Sequence, residues 1–196
     1  MKPPAPIELS NSFVTLKPLS REDAAEFLTL GRHTAIWDYL PSEPFSNLQD
    51  AEDWIRSMLR RSENAGDIPF SVYDNTTNRL AGSTSYLDIR PDHAGLEIGY
   101  TWYGSDFQRT HVNTAAKLAL FRHAFEDLEA NRVQLQTDRR NAASQRAIER
   151  LGAVKEGVLR KHKTYPDGYV RDTVMYSVTC DEWSTVKERL EGYLRR

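Results

Sequence analysis

The hydrophobic pattern changes period in the middle of the chain, and this change constrains the fold more than any other feature. Phe70 to Tyr73 and Leu80 to Ile89 read as strands joined by the polar turn Asp74-Asn75-Thr76-Thr77-Asn78. Leu96 to Tyr103 reads as a third strand after the Pro91-Asp92 turn. Helical spacing dominates on either side. Ser20 opens a capping-box-like Ser-Arg-Glu-Asp, and the helix it starts runs towards Leu30. Trp37 to Pro44 reads as an irregular connection. Asn47, with Asp50 three positions on, caps a helix that places Ala51, Trp54, Ile55, Met58 and Leu59 on one face. A short strand from Ile7 to Leu16 precedes both helices.

After the central strands, a long helix covers Thr114 to Leu128, followed by a strand from Arg132 to Thr137. Asn141 caps a short helix ending at Leu151, with Gly152 at its C′ position. Val154 to Thr164 and Tyr169 to Val178 form strands around the turn Pro166-Asp167-Gly168. Asp181 is the expected cap of a last helix carrying Trp183, Val186, Leu190 and Tyr193. The order β-α-α-β-β-β-α-β-α-β-β-α predicts an α/β (α+β) fold: a central mixed, mostly antiparallel sheet with helices on both faces.

A length of 196 residues fits a single domain, 1–196, with residues 1–6 as a loose N-terminal arm. Hydrophobic and charged shares of 39% and 28% exclude a disordered or fibrous chain. No apolar run approaches the roughly 20 residues that span a bilayer, and MKPPAPIELS lacks the apolar stretch of a secretory signal. No membrane role and a cytoplasmic location are therefore expected. The one cysteine, Cys180, reads as a structural thiol. A net charge of −2 argues against a nucleic-acid partner. The basic clusters Arg139-Arg140 and Arg160, Lys161, Lys163 read as solvated surface unless other residues supply an anion site. His33, His93, His123 and His162 show no ligand spacing, so no metal is expected.

The most informative stretch is Leu96 to Phe125, a strand, a polar loop and a long helix. The first N–H groups of such a helix lack intrahelical partners, and the helix dipole makes that end partly positive. Loop N–H groups can add a concave nest for an anion. A diphosphate could sit there on backbone groups, with Arg109 as a charged contact. A helix start facing water explains the same pattern equally well.

At this point the chain resembles the GNAT superfamily of N-acetyltransferases, whose pyrophosphate loop reads Gln/Arg-x-x-Gly-x-Gly/Ala. Gln108-Arg109-Thr110-His111-Val112-Asn113 stands in that register, and Thr114-Ala115-Ala116 opens the helix. Glu97-Ile98-Gly99-Tyr100 is similar to the preceding strand in the branch containing the ribosomal-protein N-terminal (alanine) acetyltransferases. Asn141-Ala142-Ala143-Ser144 with Ala147 to Ala153, and the hairpin around Tyr165-Pro166-Asp167-Gly168 with Arg171-Asp172 and Tyr176, resemble that branch as well. The chain departs from the pattern at both glycine positions, which hold His111 and Asn113. Asn tolerates a positive φ better than His does.

The resemblance implies acetyl-CoA as co-substrate and direct transfer, in a ternary complex, to a primary amine. A protein N-terminus, a polyamine or another small amine would serve as acceptor, and the frame also allows a homodimer. The filled glycine positions leave a catalytically silent acyl-CoA-binding module as the alternative. By the same resemblance, the backbone of Trp102 and Tyr103 pairs with pantetheine and supplies the oxyanion N–H. Gln108, Arg109, Thr110, His111, Val112, Asn113 and Thr114 would hold the diphosphate, and Asn141 the pantetheine amide. Ser144 would contact the cofactor and donate a proton to the thiolate, with Tyr176, Tyr165 and Tyr169 as rival hydroxyls. Glu97, a carboxylate in an apolar strand, is the candidate general base acting through water, with a plain surface or ion-paired Glu as the alternative. Trp37, Tyr39, Phe45 and Tyr165 would line the acceptor pocket.

Overall fold

A computed structural model describes residues 1–165 and 167–195; Pro166 of the expected hairpin turn lies outside them. The strands are β1 (Leu9–Ser10), β2 (Val14–Pro18), β3 (Ile68–Asp74), β4 (Arg79–Arg90), β5 (Gly95–Tyr103), β6 (Arg132–Asp138), β7 (Val154–Thr164) and β8 (Val170–Thr179). The helices are α1 (Ala24–Leu30), α2 (Leu48–Ala65), α3 (Val112–Arg122), α4 (Ala142–Leu151) and α5 (Trp183–Leu194). One eight-stranded sheet runs in the order β1-β2-β3-β4-β5-β6-β8-β7. Every neighbouring pair is antiparallel except β5 and β6.

Adjacent residues of a strand point to opposite faces, and β5 shows which helices lie on each. The Trp102 ring packs against Phe27 of α1 and Trp54 of α2. The Thr101 hydroxyl instead accepts a hydrogen bond from Lys117 of α3. Helices α1 and α2 thus cover one face, while α3 covers the other and packs on α5, which in turn touches α4.

The sequence signals that place these helices are realised as specific bonds. Ser20 and Asp23 form a reciprocal capping box, as do Asn47 and Asp50. Asn141 Oδ1 accepts the Ser144 N–H, and Gly152 ends α4 at φ 104°, where a side chain would be strained.

Several boundaries differ from expectation. The strand expected over Ile7 to Leu16 is two short antiparallel strands, because Asn11 turns the chain by accepting the N–H groups of Phe13 and Val14. The long helix starts at Val112, and its last turn, His123–Asp127, widens to π geometry. Asp181 does not cap α5. Glu182 occupies the cap position, and its carboxylate accepts the N–H and hydroxyl of Thr179. Residues 1–6 have no regular structure, and the Lys2 N–H donates to the Leu128 carbonyl at 2.8 Å.

Candidate active site

The parallel pair β5–β6 is short. Only Gly95, Leu96 and Glu97 pair with Arg132, Val133 and Gln134, after which the two strands diverge. A bulge in β5 accompanies the divergence. Between the pairs Ser83–Trp102 and Ser85–Gly99, β4 spends one residue and β5 two. Tyr100 sits in the bulge at φ 47°, a conformation that costs a non-glycine residue about 1 kcal/mol or more. Its ring lies under the Arg61 guanidinium, 4.8 Å from the centroid, a contact that offsets part of this strain. Beyond Glu97, the edge of β5 that faces β6 is left without a partner strand.

Glu97 stands where the strands part and is 5% exposed. Its Oε2 accepts Gln134 Nε2 at 3.1 Å and Gln136 Nε2 at 2.6 Å, both from β6. A Cβ at Gly99 would lie 2.9 Å from Glu97 Oε1 and 2.6 Å from Leu87. Glycine there keeps the space beside the second carboxylate oxygen open. Glu97 is thus neither solvent-facing nor ion-paired among the described residues, but buried and hydrogen-bonded to β6.

The loop before α3 is shaped by its own side chains. Gln108 Nε2 donates to the Tyr103 carbonyl at 3.1 Å, Thr110 Oγ1 donates to the Phe107 carbonyl, and the Val112 N–H donates to Thr110 Oγ1. Val112 is fully buried, and Thr114 is buried with its hydroxyl accepting Arg150 Nη1. Val112 and Thr114 are therefore buried, while Gln108 and Thr110 are exposed residues whose side chains fold back onto the loop's own backbone. Among the described residues, the N–H groups of Arg109, Thr110, His111, Asn113 and Thr114 have no hydrogen-bond partner. Arg109 is exposed and forms no ion pair among those residues.

The departure at the glycine positions has a structural resolution. His111 lies at φ −67°, in the ordinary helical region, and Asn113 lies within the first turn of α3. The positive φ of this loop, 61°, falls on Arg109. His111 Nε2 lies 2.9 Å from Asp74 Oδ1 at the end of β3. Burial acts to raise the Asp74 pKa, but hydrogen bonds from Thr77 and His111 outweigh it and hold the carboxyl below its usual range. Asp74→Asn removes this tie between the β3–β4 turn and the loop. The expected result is a loss of about 2 kcal/mol of stability, read as a lower urea midpoint, with an increased KM for acetyl-CoA.

The remaining predicted residues are divided. Asn141 uses its side-chain oxygen to cap α4, and Ser144 is half-buried one turn on. Tyr176 is fully buried, and its hydroxyl donates to Glu149 Oε1 of α4 at 2.9 Å. Burial and this bond push its pKa up to about 12. Tyr176 pairs with Leu135 of β6, so it stands on the sheet face opposite Gln136 and Glu97. Trp37 and Phe45 belong to the core beside Trp102, although Phe45 also reaches a concavity on the α1–α2 connection. Both are buried with Trp102, at ring separations of 4.9 and 6.0 Å. Tyr39 and Tyr169 approach each other across Arg140, whose guanidinium stacks on Tyr169 at 3.5 Å and pairs with Asp138.

Sequence reasoning missed Gln134 and Gln136, although polar residues at every second position of an interior strand were a signal. It also missed Lys117, one lysine inside an apolar helix, which is 4% exposed and bonded to Thr101 and Thr84. Cys180 is exposed. Among the described residues, no group of three or more His, Cys, Asp or Glu could hold a metal ion. No helix there is long and apolar enough to cross a membrane. A surface concavity lined by Arg32, Thr34, Glu43 and Phe45 lies on the α1–α2 connection, and none of Glu97, Gln134, Gln136 and Lys117 lines it.

The family model of the acetyltransferase (GNAT) domain matches residues 14–154. The chain belongs to the GNAT acetyltransferases. That match spans the loop before α3, the strand divergence and Asn141. A GNAT relative from Bacillus subtilis, named "Putative ribosomal N-acetyltransferase YdaF", is 29% identical over 90% of this chain and 97% of its own length. A crystal structure from T. thermophilus, described as that of a putative acetyltransferase, is 37% identical, covers 97% of this chain and 98% of the other, and superposes with a TM-score of 0.89. Mycobacterium smegmatis RimJ, solved in complex with CoA-disulfide, is 19% identical, covers 100% of this chain and 98% of the other, and shares the fold with a TM-score of 0.80. This GNAT protein is thus an N-acetyltransferase by family, and its family uses acetyl-CoA.

Proposed function

We propose that this enzyme moves the acetyl group of acetyl-CoA directly to a peptide or protein N-terminal amine held in the same complex. The observation that carries this reading is the open β5 edge beyond Glu97, together with the loop before α3, in which five N–H groups have no partner among the described residues. The names of the YdaF relative and of a Vibrio cholerae ribosomal-protein-serine acetyltransferase structure favour a protein acceptor over a polyamine. In this proposal the chain acts as one unit in the cytoplasm.

Bound acetyl-CoA supplies the activated acetyl thioester. The loop N–H groups and the α3 dipole hold the diphosphate, and Arg109 adds its charge. The free edge of β5 around Trp102 and Tyr103 pairs with the pantetheine arm and points an N–H at the thioester oxygen. Asn141 retains its amide N–H groups for the pantetheine. Glu97 Oε1 takes the amine proton through water, while Gln134 and Gln136 fix Oε2. Ser144 is the better proton donor to the thiolate, because the Tyr176 hydroxyl is committed to Glu149. The helical φ of His111 removes the steric motive for a silent binding module.

Arg109→Glu tests the loop assignment. The expected outcome is an increase of about 10-fold or more in the KM for acetyl-CoA with kcat little changed, since the lost contact is equal in ground and transition states. An unchanged KM would remove Arg109 and its loop from the cofactor site.

A further inference from the structure

Two basic residues close the acceptor side of the divergence. Arg171 of β8 pairs in register with Lys163 of β7, which puts both on one face of the sheet. Arg171 is 7% exposed. Its Nη1 donates to the Tyr165 hydroxyl at 2.9 Å, its Nε has no partner, and among the described residues it meets no carboxylate within ion-pair distance. A guanidinium buried without a counter-charge is costly, so such a residue is a ready anion receptor.

Both residues share their space with the candidate base. Partial burial lowers the pKa of Lys163, and the charges of Glu97 and Arg171 act on it with opposite signs. The nearby Arg61 is neutralised by Asp67 at 2.6 Å. Among the described residues whose charges act on Lys163, that leaves Glu97 as the negative one, against the positive Lys163 and Arg171. The cleft is also polarised along its length. At the Glu97 end, Gln136 Oε1 is buried and without a partner, suited to accept an N–H from an amine. At the hairpin end, Arg171 and Lys163 present donors on the same face. Gln136 pairs with Met175, and Arg171 lies four residues further along β8, about 13 Å at 3.3 Å per residue. The long side chains of Arg171 and Lys163 shorten that span.

We propose that the acceptor is a peptide N-terminus with an acidic side chain among its first three residues, its amine at Glu97 and its carboxylate on Arg171 and Lys163. This deepens the acetyl-transfer reading and rests on it. The carboxylate fills the vacant donor positions of Arg171, and a peptide in extended form covers the distance.

The test uses the full chain, saturating acetyl-CoA and short peptides differing only at the second and third residues: Asp or Glu against Asn, Gln or Lys. The acidic peptides should show kcat/KM on the order of 10-fold or more above the neutral ones. Arg171→Gln should bring the acidic peptides down to the neutral level and leave the KM for acetyl-CoA unchanged. Lys163→Glu, a change at an exposed position, should shift preference towards Lys peptides and keeps the test valid if Arg171→Gln fails to fold. Equal rates for acidic and neutral peptides, or a preference that survives both substitutions, would overturn the proposal while leaving acetyl transfer intact. Free aspartate provides the second arm, and its turnover without turnover of the acidic peptides would overturn the peptide as the source of the charge. No turnover with any amine removes the acetyl-transfer reading and this proposal with it.

Discussion

Glu97→Gln lowers kcat by about 100-fold or more near neutral pH and leaves the KM for acetyl-CoA unchanged. The substitution keeps the size of the side chain and its place at the parting of β5 and β6. It removes the group able to take a proton. The amide also brings an N–H donor towards Gln134 and Gln136, whose own amides now donate to the carboxylate. The loss is largest where the acceptor amine is protonated and needs a base. Raising the pH deprotonates the amine without help, so part of the rate returns. A variant with wild-type kcat across the whole range from about pH 6 to 9 would make Glu97 a structural carboxylate that only ties the two strands together.

Lys117→Met makes the protein more stable, and the gain fades as pH rises. Burial pushes the Lys117 amine from 10.5 down to about 7, and it donates hydrogen bonds to the hydroxyls of Thr84 and Thr101. The unfolded chain holds this proton up to about pH 10.5, the folded chain only up to about 7. Between those values the unfolded state binds more protons, so wild-type stability rises with pH by up to about 1.4 kcal/mol per unit from this group. Below about pH 7 both states carry the proton and the penalty is constant, roughly 5 kcal/mol. Methionine removes the penalty and gives up the bonds to the threonines, which remain bonded to each other at 2.8 Å. The expected net gain is about 3 kcal/mol near pH 7, and about half of that or less near pH 9. Urea unfolding of both proteins at the two pH values measures it. A gain independent of pH, or a loss at both values, would show that the buried amine is not held near neutrality.

Element order was legible because each helix and strand carries its own period and several carry their own caps. Ser20 with Asp23, Asn47 with Asp50, and Asn141 with Gly152 are local signals, and local bonds realise them. The boundaries that moved depend on contacts between distant segments. Asn11 makes its turn while also donating to the Ala115 carbonyl of α3, and nothing near residue 11 announces that partner.

The site was legible as a set of residues more than as a set of roles. Asn141 lies at its helix cap, as its local spacing implies, and Glu97 lies in a strand as expected, but that its strand parts from β6 there depends on the pairing. Tyr176 was assigned a hydroxyl role without knowledge of which sheet face it occupies. A pairing register across β6 and β8 decides that, and register is not written in one strand. Trp37 and Phe45 illustrate the same limit. Their loop looks like a pocket wall in sequence, yet their rings complete the aromatic cluster around Trp102. The difficulty at His111 came from expecting the family's backbone at every loop position. Arg109 takes the left-handed conformation instead, and His111 is left free to pair with Asp74.

The most direct measurement is acetyl-CoA turnover by the full chain against a panel of peptides and small amines, with free thiol and acetylated amine quantified together. Saturable thiol release that requires an amine and matches the acetylated product one for one is the predicted result. Saturable binding of acetyl-CoA with no amine-dependent thiol release would contradict it and leave a protein that holds the cofactor without transferring its acetyl group.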